Sequence, residues 1–379
     1  MALKPNHVIE KMNEYYYEFP GCGDRSVHKI GTQVTIAVEE SRVKLQNLIN
    51  AKEPSEIIFL RNATEGINLV AHSLTQGLSL GPKDRILITD REHNSNLVPW
   101  LFMQNNNGMK TQVVQSNPDN TFNLETFENM MDTSVKLVSM VHISNLDGYT
   151  IPAKEIINIA HDHGALVLLD GAQSAPHIPV DVQDLDVDFF VLSIHKMCGP
   201  TGMGVIYGKQ SLLENLPPFI VGGSTVKSTT YTTTEFLSPP EKFEAGLQNY
   251  AGIIGAGAAA DYIKNIGLEE IHQHDLKLNE IMTDSLGEID KISIIGPKDP
   301  KLRGCTFSFN ITDIDCHDIA MILDEVGNIM IRSGMHCVHS WFNSKNINGS
   351  ARASVYLYNT EEEIKFFCEK TKEIIENFS

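Results

Sequence analysis

The chain has 379 residues, 42% of them hydrophobic, and a formal net charge of -18 at pH 7. A chain of this size can bury a large core, and we expect one large domain joined to a smaller one. The acidic balance, without a dense Lys/Arg cluster, excludes a typical nucleic-acid-binding surface. No apolar stretch reaches the length of a membrane span, and six scattered cysteines without a CxxC pair are typical of a reducing, cytoplasmic compartment.

Short apolar runs alternate with amphipathic stretches from about Glu56 to Gly208. Their nearly continuous apolar character predicts strands that are buried on both faces. Helical patterns such as Ala153–Gly164 separate them, and this alternation predicts an α/β fold with a mainly parallel sheet. The predicted strands are Arg85–Thr89, Val135–Ile143, Ala165–Leu169, Asp188–Ser193 and Gly204–Gly208.

The pattern changes after a predicted helix at Ala251–Gly267. A long helix from Leu268 to about Ile289 precedes the strand-like runs "KISIIG", "CTFSFNI" and "IMIRSG", a helical "DCHDIAMILDEVG" and a last helix near Thr360–Asn377. This order predicts a compact α+β domain at the C-terminal end. Residues 217–240, which are rich in Gly, Pro, Ser and Thr, are predicted to form a loop.

Polar residues follow the predicted strands at the points where the strands end. Ligands of parallel α/β sheets bind beyond the carboxyl ends of the strands, so these side chains are predicted to share one edge. They are His93, Asn145, Asp170, Gln173, His195 and Lys196. An amine that can form a Schiff base, with a carboxylate on a neighbouring strand that keeps a pyridine nitrogen protonated, is the pair that a pyridoxal phosphate (PLP) enzyme needs. Lys196 and Asp170 are candidates for that pair.

A phosphate site is predicted at the start of the helical pattern Asn62–Leu74, because a helix N-terminus offers free N–H groups and the positive end of the helix dipole. Thr64 would add a hydroxyl, and Ser193 and His195 could add further donors. An ordinary N-cap is the alternative interpretation of this segment.

The segment "DGAQSAPHIPVDVQDLDVDFFVLSIHKMCGPTGMGVIYG" (170–208) resembles the lysine region of class V aminotransferases, a family of fold-type I PLP enzymes. Further motifs extend the resemblance over nearly the whole chain, and it is most similar to the SUF-type (group II) cysteine desulfurase and selenocysteine lyase group. They are "RSVHKIG", "ATEGINLVA", "EHNSNLVPW", "ISNLDG", "FEAG" and "ARASVYLYNTEEE".

The resemblance implies a fold-type I PLP-dependent transferase, with a seven-stranded-type, mainly parallel sheet in a large domain and a smaller α+β C-terminal domain. Residues 1–20 are expected to form an N-terminal segment that associates with the small domain. Residues 21–262 are expected to form the PLP-binding domain, and residues 263–379 the small domain that carries the nucleophilic cysteine loop.

The resemblance also implies roles for the matched residues. Lys196 would hold PLP covalently, Asp170 would pair with the ring nitrogen, Gln173 would hydrogen-bond the ring oxygen and His93 would stack on the ring. The phosphate would be bound by Thr64, Ser193 and His195, and the substrate carboxylate by Asn145 and Arg352. Without the resemblance, a surface ion-pair partner is the favoured interpretation of Arg352.

Cys337 lies in a loop after a strand pattern, between His336 and His339. Nearby imidazoles or cations favour a thiolate, and the resemblance places the nucleophilic cysteine of the family here. A zinc site made by these three residues is the rival interpretation, but no second ligand pair accompanies them, and we expect no metal. The cysteines expected to be buried and inert are Cys198, Cys305, Cys316 and Cys368.

The sequence therefore predicts a PLP-dependent cysteine desulfurase that converts L-cysteine to L-alanine, with a persulfide on Cys337 that supplies sulfur for iron–sulfur cluster assembly. L-selenocysteine is an alternative substrate, a homodimer is expected, and the sulfur acceptor is a further protein. One alternative is another class V enzyme, a selenocysteine lyase or an aminotransferase. The other is an inactive PLP-fold scaffold, which is suggested by the absence from the sequence of the strand motif that precedes Lys4–Pro5 in the family. Leu247 stands where the family has a threonine that reaches the phosphate of the partner subunit, so we expect weaker phosphate binding across a dimer, or a substitute role for Gln248.

Overall fold

The structure is a computed structural model that describes residues 1–24 and 26–378. Within this part of the chain, seven strands form one large sheet. They are β1 (Ile57–Leu60), β2 (Arg85–Thr89), β3 (Lys110–Val114), β4 (Val135–Val141), β5 (Leu166–Asp170), β6 (Phe189–Ser193) and β7 (Gly204–Gly208). Their spatial order is β1-β7-β6-β5-β4-β2-β3, and neighbours are parallel except that β7 runs antiparallel to both β1 and β6. The prediction of a mainly parallel seven-stranded sheet is confirmed.

The large sheet is buried on both faces, because successive residues of its central strands enter two different hydrophobic clusters. In β5, Leu168 belongs to one cluster and Leu169 to the other. Helices cover the two faces, as the continuous apolar runs predicted. They are α1 (Asn6–Glu18), α2 (Lys29–Leu48), α3 (Ala63–Gly77), α4 (Asn94–Asn107), α5 (Leu124–Met130), α6 (Ala153–Asp162), α7 (Val182–Leu185), α8 (Gln210–Asn215) and α9 (Tyr250–Ile266).

A second, antiparallel sheet of four strands follows in the described chain, in the order β10-β11-β13-β12. Its strands are β10 (Ile292–Ile295), β11 (Thr306–Ile311), β12 (Arg332–Gly334) and β13 (Ser350–Ser354), and its helices are α10 (Leu268–Leu286), α11 (Cys316–Gly327), α12 (His339–Lys345) and α13 (Glu361–Phe378). Phe307 and Phe309 are fully buried in the core between this sheet and its helices. The predicted α+β unit at the C-terminal end is present.

The predicted loop at residues 217–240 contains a short hairpin, β8 (Val226–Thr229) paired with β9 (Thr234–Phe236), so the loop prediction was wrong for these two strands. Most of the hairpin's side chains are exposed, so its sequence carries no buried apolar pattern by which it could be recognised. The edge strand β3 was not predicted for the same reason, because most of its side chains lie in partial or full contact with solvent.

The N-terminal helix α1 packs on α9 through Val8, which contacts Ala258 and Ala259 in one small buried cluster. Ahead of α1, the N–H of Ala2 donates to the carbonyl of His195 over 3.0 Å, so the first residues lie beside the lysine turn. The division of the chain at residues 1–20, 21–262 and 263–379 stays a prediction.

Candidate active site

A cavity of about 190 Å³ lies at the carboxyl edge of the large sheet. A second cavity of about 530 Å³ shares part of this lining and extends towards the C-terminal sheet, where Arg352 and Arg332 line it. Eight of the predicted site residues line the first cavity: Thr64, His93, Asn145, Asp170, Gln173, Ser193, His195 and Lys196. The structure therefore brings together side chains that lie up to 288 positions apart in the sequence, as the strand-end argument predicted.

Lys196 and Asp170 end up in this cavity because their strands are neighbours. Asp170 is the last residue of β5, and Lys196 ends a short 3-10 turn, Ile194–Lys196, that follows β6. Burial lowers the pKa of Lys196 to about 8, although the charge of Asp170 opposes this shift. Burial also raises the pKa of Asp170, and Lys196 opposes that shift. The amine is therefore partly deprotonated near neutral pH, as a nucleophilic amine must be.

The first turn of α3 forms one wall of the first cavity. The N–H of Ala63 donates to Ser193 Oγ over 3.0 Å, which fixes the helix end to the end of β6. Gly204 permits this approach, because a Cβ at that position would lie 2.4 Å from the Cα of Asn62. The hydroxyls of Thr64 and Ser95 lie 2.7 Å apart, and Asn62 caps the helix through the N–H of Glu65. A helix N-terminus with two hydroxyls beside it can bind a phosphate.

Two histidines in the cavity are neutral at physiological pH. Burial, reinforced by the charge of Lys196, lowers the pKa of His93 to about 4, and the same two causes lower that of His195 to about 4. His93 is the N-cap of α4, and its Nδ1 accepts from the N–H of Ser95 over 3.0 Å. A neutral ring that is fixed through one nitrogen can stack on a flat ligand without adding charge to it.

Arg352 on β13 lines the second cavity and has a buried donor without a partner among the described residues. Its Nη1 donates to the carbonyl of Asn145 over 2.8 Å, whereas its Nε has no partner among the described residues. Asn145 uses its Nδ2 to donate to the carbonyl of His336 over 2.8 Å, which leaves its Oδ1 buried without a partner. A buried donor and a buried acceptor without partners indicate a ligand that supplies both kinds of group. The free donor of Arg352 fits a carboxylate.

Cys337 lies between β12 and α12, beside the second cavity. Its Sγ accepts from Arg332 Nη2 over 3.2 Å, and Arg332 itself lines that cavity. The backbone carbonyl of Cys337 accepts from the N–H of Asn94, the residue after His93, over 2.7 Å. The thiol is thus joined to the predicted site by one side chain and by one backbone hydrogen bond.

The two histidines that flank Cys337 have other partners. His336 is buried, its Nε2 lies 2.9 Å from Ser350 Oγ, and burial lowers its pKa to about 3. His339 Nδ1 lies 2.9 Å from Asn94 Nδ2. The cation beside the sulfur is therefore Arg332, not an imidazolium as the flanking histidines suggested. These different partners also argue against the three residues acting as one zinc site.

Two residues of the site were not predicted from the sequence. Arg332 stands on β12, where a charged residue at a strand end is ordinary, and its position five residues before Cys337 gave no signal by itself. Ser95 lies two residues after His93 at the start of α4 and is indistinguishable from a helix-start serine in the sequence. Leu247, where the resemblance implies a threonine, is 70% exposed.

The family model for class-V aminotransferases matches residues 1–367. The chain belongs to this family. It is 42% identical over 380 residues to a probable cysteine desulfurase of Synechocystis, covering 100% of this chain and 90% of that protein. It is 37% identical to a cysteine desulfurase of Haloferax volcanii, covering 95% of this chain and 84% of that protein.

Solved structures agree with this assignment. The apo cysteine desulfurase of Thermococcus onnurineus superimposes with a TM-score of 0.95 at 35% identity, covering 100% of this chain and 93% of that one. The Escherichia coli cysteine desulfurase CsdA superimposes with a TM-score of 0.91 at 31% identity, covering 99% and 92%. The predicted similarity to fold-type I cysteine desulfurases is confirmed. None of the helices in the described chain has the length and apolar character required to span a membrane.

Proposed function

We propose that this chain is a PLP-dependent cysteine desulfurase that converts L-cysteine to L-alanine and keeps the sulfur as a persulfide on Cys337. The observation that carries the proposal is the link between Cys337 and the lysine cavity. Arg332 contacts the thiol and lines the cavity, and the N–H of Asn94, the residue after His93, donates to the backbone carbonyl of Cys337. A transaminase would have no use for a thiol held in this place.

The donor set fits PLP. Lys196 would hold its aldehyde carbon, the buried carboxylate of Asp170 would face its ring nitrogen, and Gln173 would bond its ring oxygen. His93 would stack on the ring, and Thr64, Ser193 and His195 would bind its phosphate at the N-terminus of α3. Asn145 was predicted to bind the substrate carboxylate, but its Nδ2 is bonded to His336, so its unpartnered Oδ1 would accept from a donor of the bound ligand instead. When bound, PLP supplies an electron sink that stabilises negative charge at the α-carbon of the substrate.

The residues of this chain bind the substrate, transfer its proton and accept its sulfur. Arg352 binds the substrate carboxylate through its free donor, and the amine of Lys196 moves the proton at the α-carbon. The thiolate of Cys337, beside the guanidinium of Arg332, attacks the sulfur of the substrate. One S–S bond forms as the Cβ–S bond breaks, and Cβ takes up a proton. L-cysteine and the thiol thereby become L-alanine and a persulfide, with no external oxidant.

The proposal includes a homodimer, an acceptor protein that takes the sulfur for iron–sulfur cluster assembly, and a reducing cytoplasmic setting. The six cysteines are all free thiols, which supports the last point. The exposed side chain of Leu247 supports a subunit interface at this loop, in which the threonine-to-phosphate bond of the family is weakened or taken over by Gln248.

The test is exposure of the PLP-loaded protein to L-cysteine, with alanine assayed and peptides analysed by mass spectrometry. We expect one added sulfur atom on Cys337. Cys337→Ala should lose alanine release and keep the visible cofactor absorbance, whereas Cys22→Ser, at another half-buried thiol, should behave as wild type. Unchanged turnover in Cys337→Ala would favour another class V reaction, and a protein that binds no PLP would be a scaffold. Comparison of cysteine with selenocysteine decides between a desulfurase and a selenocysteine lyase.

A further inference from the structure

Glu92 is a buried carboxylate that the proposed reaction does not use. It is 1% exposed, and it forms no ion pair with any residue that the structure describes. Four donors surround it instead. Oε1 accepts from the N–H of Thr89 (3.1 Å), Thr89 Oγ1 (2.7 Å) and the N–H of Val141 (3.0 Å), and Oε2 accepts from Asn96 Nδ2 (2.7 Å). Burial raises its pKa to about 7, and these hydrogen bonds oppose the shift.

These four bonds fix the turn between β2 and α4 at both of its ends. Thr89 ends β2, Val141 ends the neighbouring strand β4, and Asn96 lies in the first turn of α4. Asn96 is fixed in turn, because its Oδ1 accepts from Ser139 Oγ over 2.6 Å and from Trp100 Nε1 over 3.1 Å. The segment between Glu92 and Asn96 is therefore held to the sheet by side chains buried beneath it.

That segment carries two contacts of the active site. His93 lines both cavities, and the N–H of Asn94 donates to the carbonyl of Cys337 over 2.7 Å. Glu92 touches neither the cavity nor the thiol. A shift of the turn would nevertheless move the imidazole and the backbone donor together.

We propose that Glu92 is a positioning residue for the reaction: by fixing the β2–α4 turn, it holds the His93 ring and the Cys337 loop in one relative position. The proposal rests on the proposed function for the role of His93 and Cys337 in turnover. The positioning of the loop itself follows from the contacts alone and can be measured without substrate.

Glu92→Gln is the informative variant, because it keeps the volume and replaces one oxygen by an NH₂ group. At the Oε1 position this group would face three donors. At the Oε2 position it would face Asn96 Nδ2, another donor. The Asn96 amide can turn its oxygen towards this group only by losing the hydrogen bonds that its Oδ1 accepts from Ser139 and Trp100. The turn must therefore shift. Glu56→Gln is a matched control, since Glu56 is also buried and accepts from the N–H groups of Lys52, Glu53 and Gln210, outside the residues that line the two cavities.

Three measurements are made on wild type, Glu92→Gln and Glu56→Gln. The first, on protein without PLP, is the rate of iodoacetamide labelling at Cys337, normalised to Cys22. We expect it to rise several-fold in Glu92→Gln only. The second is the visible spectrum after PLP is added, which should shift in Glu92→Gln because the His93 ring moves. The third is alanine release, whose kcat should fall about 10- to 100-fold with a smaller change in KM.

Wild-type labelling, spectrum and kcat in a folded Glu92→Gln protein would overturn the proposal, as would equal changes in Glu56→Gln. If Glu92→Gln does not fold, the same three measurements on Thr89→Val test the proposal. This variant removes one of the four hydrogen bonds to Glu92 with little change in volume. The same shifts at smaller size would support the proposal, and wild-type values would overturn it. A wild-type protein that releases no alanine would contradict the proposed function. The comparison of labelling rates would still test whether Glu92 positions Cys337.

Discussion

Lys196 and Cys337, the two residues proposed to carry the chemistry, are held in different ways. Lys196 follows β6, which is paired on one side with β5 and on the other with β7 and is buried along its whole length. Cys337 lies in a loop, and both it and His336 have left-handed backbone conformations, with φ of 63° and 49°. Such residues cost about 1–2 kcal/mol each for a side chain other than glycine, so other contacts must hold them.

Two of the hydrogen bonds that hold the thiol loop come from the large-sheet part of the chain, in addition to the bond between His336 and Ser350 on β13. Asn94 bonds the carbonyl of Cys337, and Asn145 bonds that of His336. The lysine half of the site is thus built into a sheet, whereas the thiol half depends on hydrogen bonds between the two sheets. This difference implies that the chemistry at the α-carbon and the transfer of sulfur can be damaged separately.

The largest effect is expected at Lys196, in the sheet half. Lys196→Ala should lower alanine release by at least about 10³-fold, because it removes the amine that moves the proton. The iodoacetamide reactivity of Cys337 should stay at the wild-type value. Lys242→Ala is the control, since Lys242 is a buried lysine that lies outside both cavities. A large change in thiol reactivity in Lys196→Ala would mean that the two halves are not separable.

The junction between the halves is tested at Gly148, which has φ of 76° and whose Cβ would lie 2.0 Å from the carbonyl oxygen of Arg303. Gly148→Ala should lower the free energy of unfolding by about 2–5 kcal/mol, from backbone strain and overpacking together. Gly164, with φ of 74° and no atom within 4 Å of the added Cβ, gives the matched control. Gly164→Ala should lower the free energy of unfolding by only the cost of the left-handed backbone conformation, about 1–2 kcal/mol. Equal losses in urea unfolding would show that the close approach is unimportant.

In the small-sheet half, Arg352→Lys should raise KM for cysteine about 10- to 100-fold, because an ammonium cannot reproduce the fork of the guanidinium. The visible absorbance of bound PLP should not change, since Arg352 is proposed to bind the substrate. Arg61→Lys, at an arginine whose side chain is 75% exposed, is the control. Loss of PLP binding in Arg352→Lys, with KM unchanged, would place this arginine in the cofactor half instead.

The smallest effect concerns His177 and Asp275, an ion pair of 2.7 Å between the loop after β5 and α10. Burial lowers the pKa of His177, but the charges of Cys305 and Asp275 outweigh it and raise the pKa to about 10. A raised pKa stabilises the fold fully below the unfolded value of 6.5, and this contribution is lost as pH rises through about 10. We expect the free energy of unfolding to fall as pH rises through that window.

His177→Gln should remove this pH-dependent part and be less stable than wild type below about pH 10, because it leaves Asp275 buried beside a neutral group. His163→Gln, at an imidazole that bonds the carbonyl of Ile159, should keep the wild-type slope. If wild type and His177→Gln unfold with the same pH dependence, the pair does not hold a proton and contributes no pH-linked stability across the junction.

Much of the site could be predicted because the chemistry follows strand ends. The runs ending near Thr89, Asp170 and Ser193 are apolar and short, so their ends, and the polar residues after them, are visible in the sequence. Arg332 and Glu92 could not be predicted in the same way. Arg332 is important because it contacts Cys337, and Glu92 because it accepts four hydrogen bonds from three different elements. No spacing in the sequence encodes those contacts.

By itself, the sequence determined the α/β class, the mainly parallel sheet, the family resemblance and most of the residues that line the cavity, because periodic burial and strand ends are local properties. Only the tertiary structure decided which cation lies beside Cys337, which donors hold its loop, and that a buried glutamate anchors the turn of His93. These depend on the distances between segments that the folded chain brings together, and hydrogen bonds and charges act over a few ångströms in space, whatever the separation in sequence.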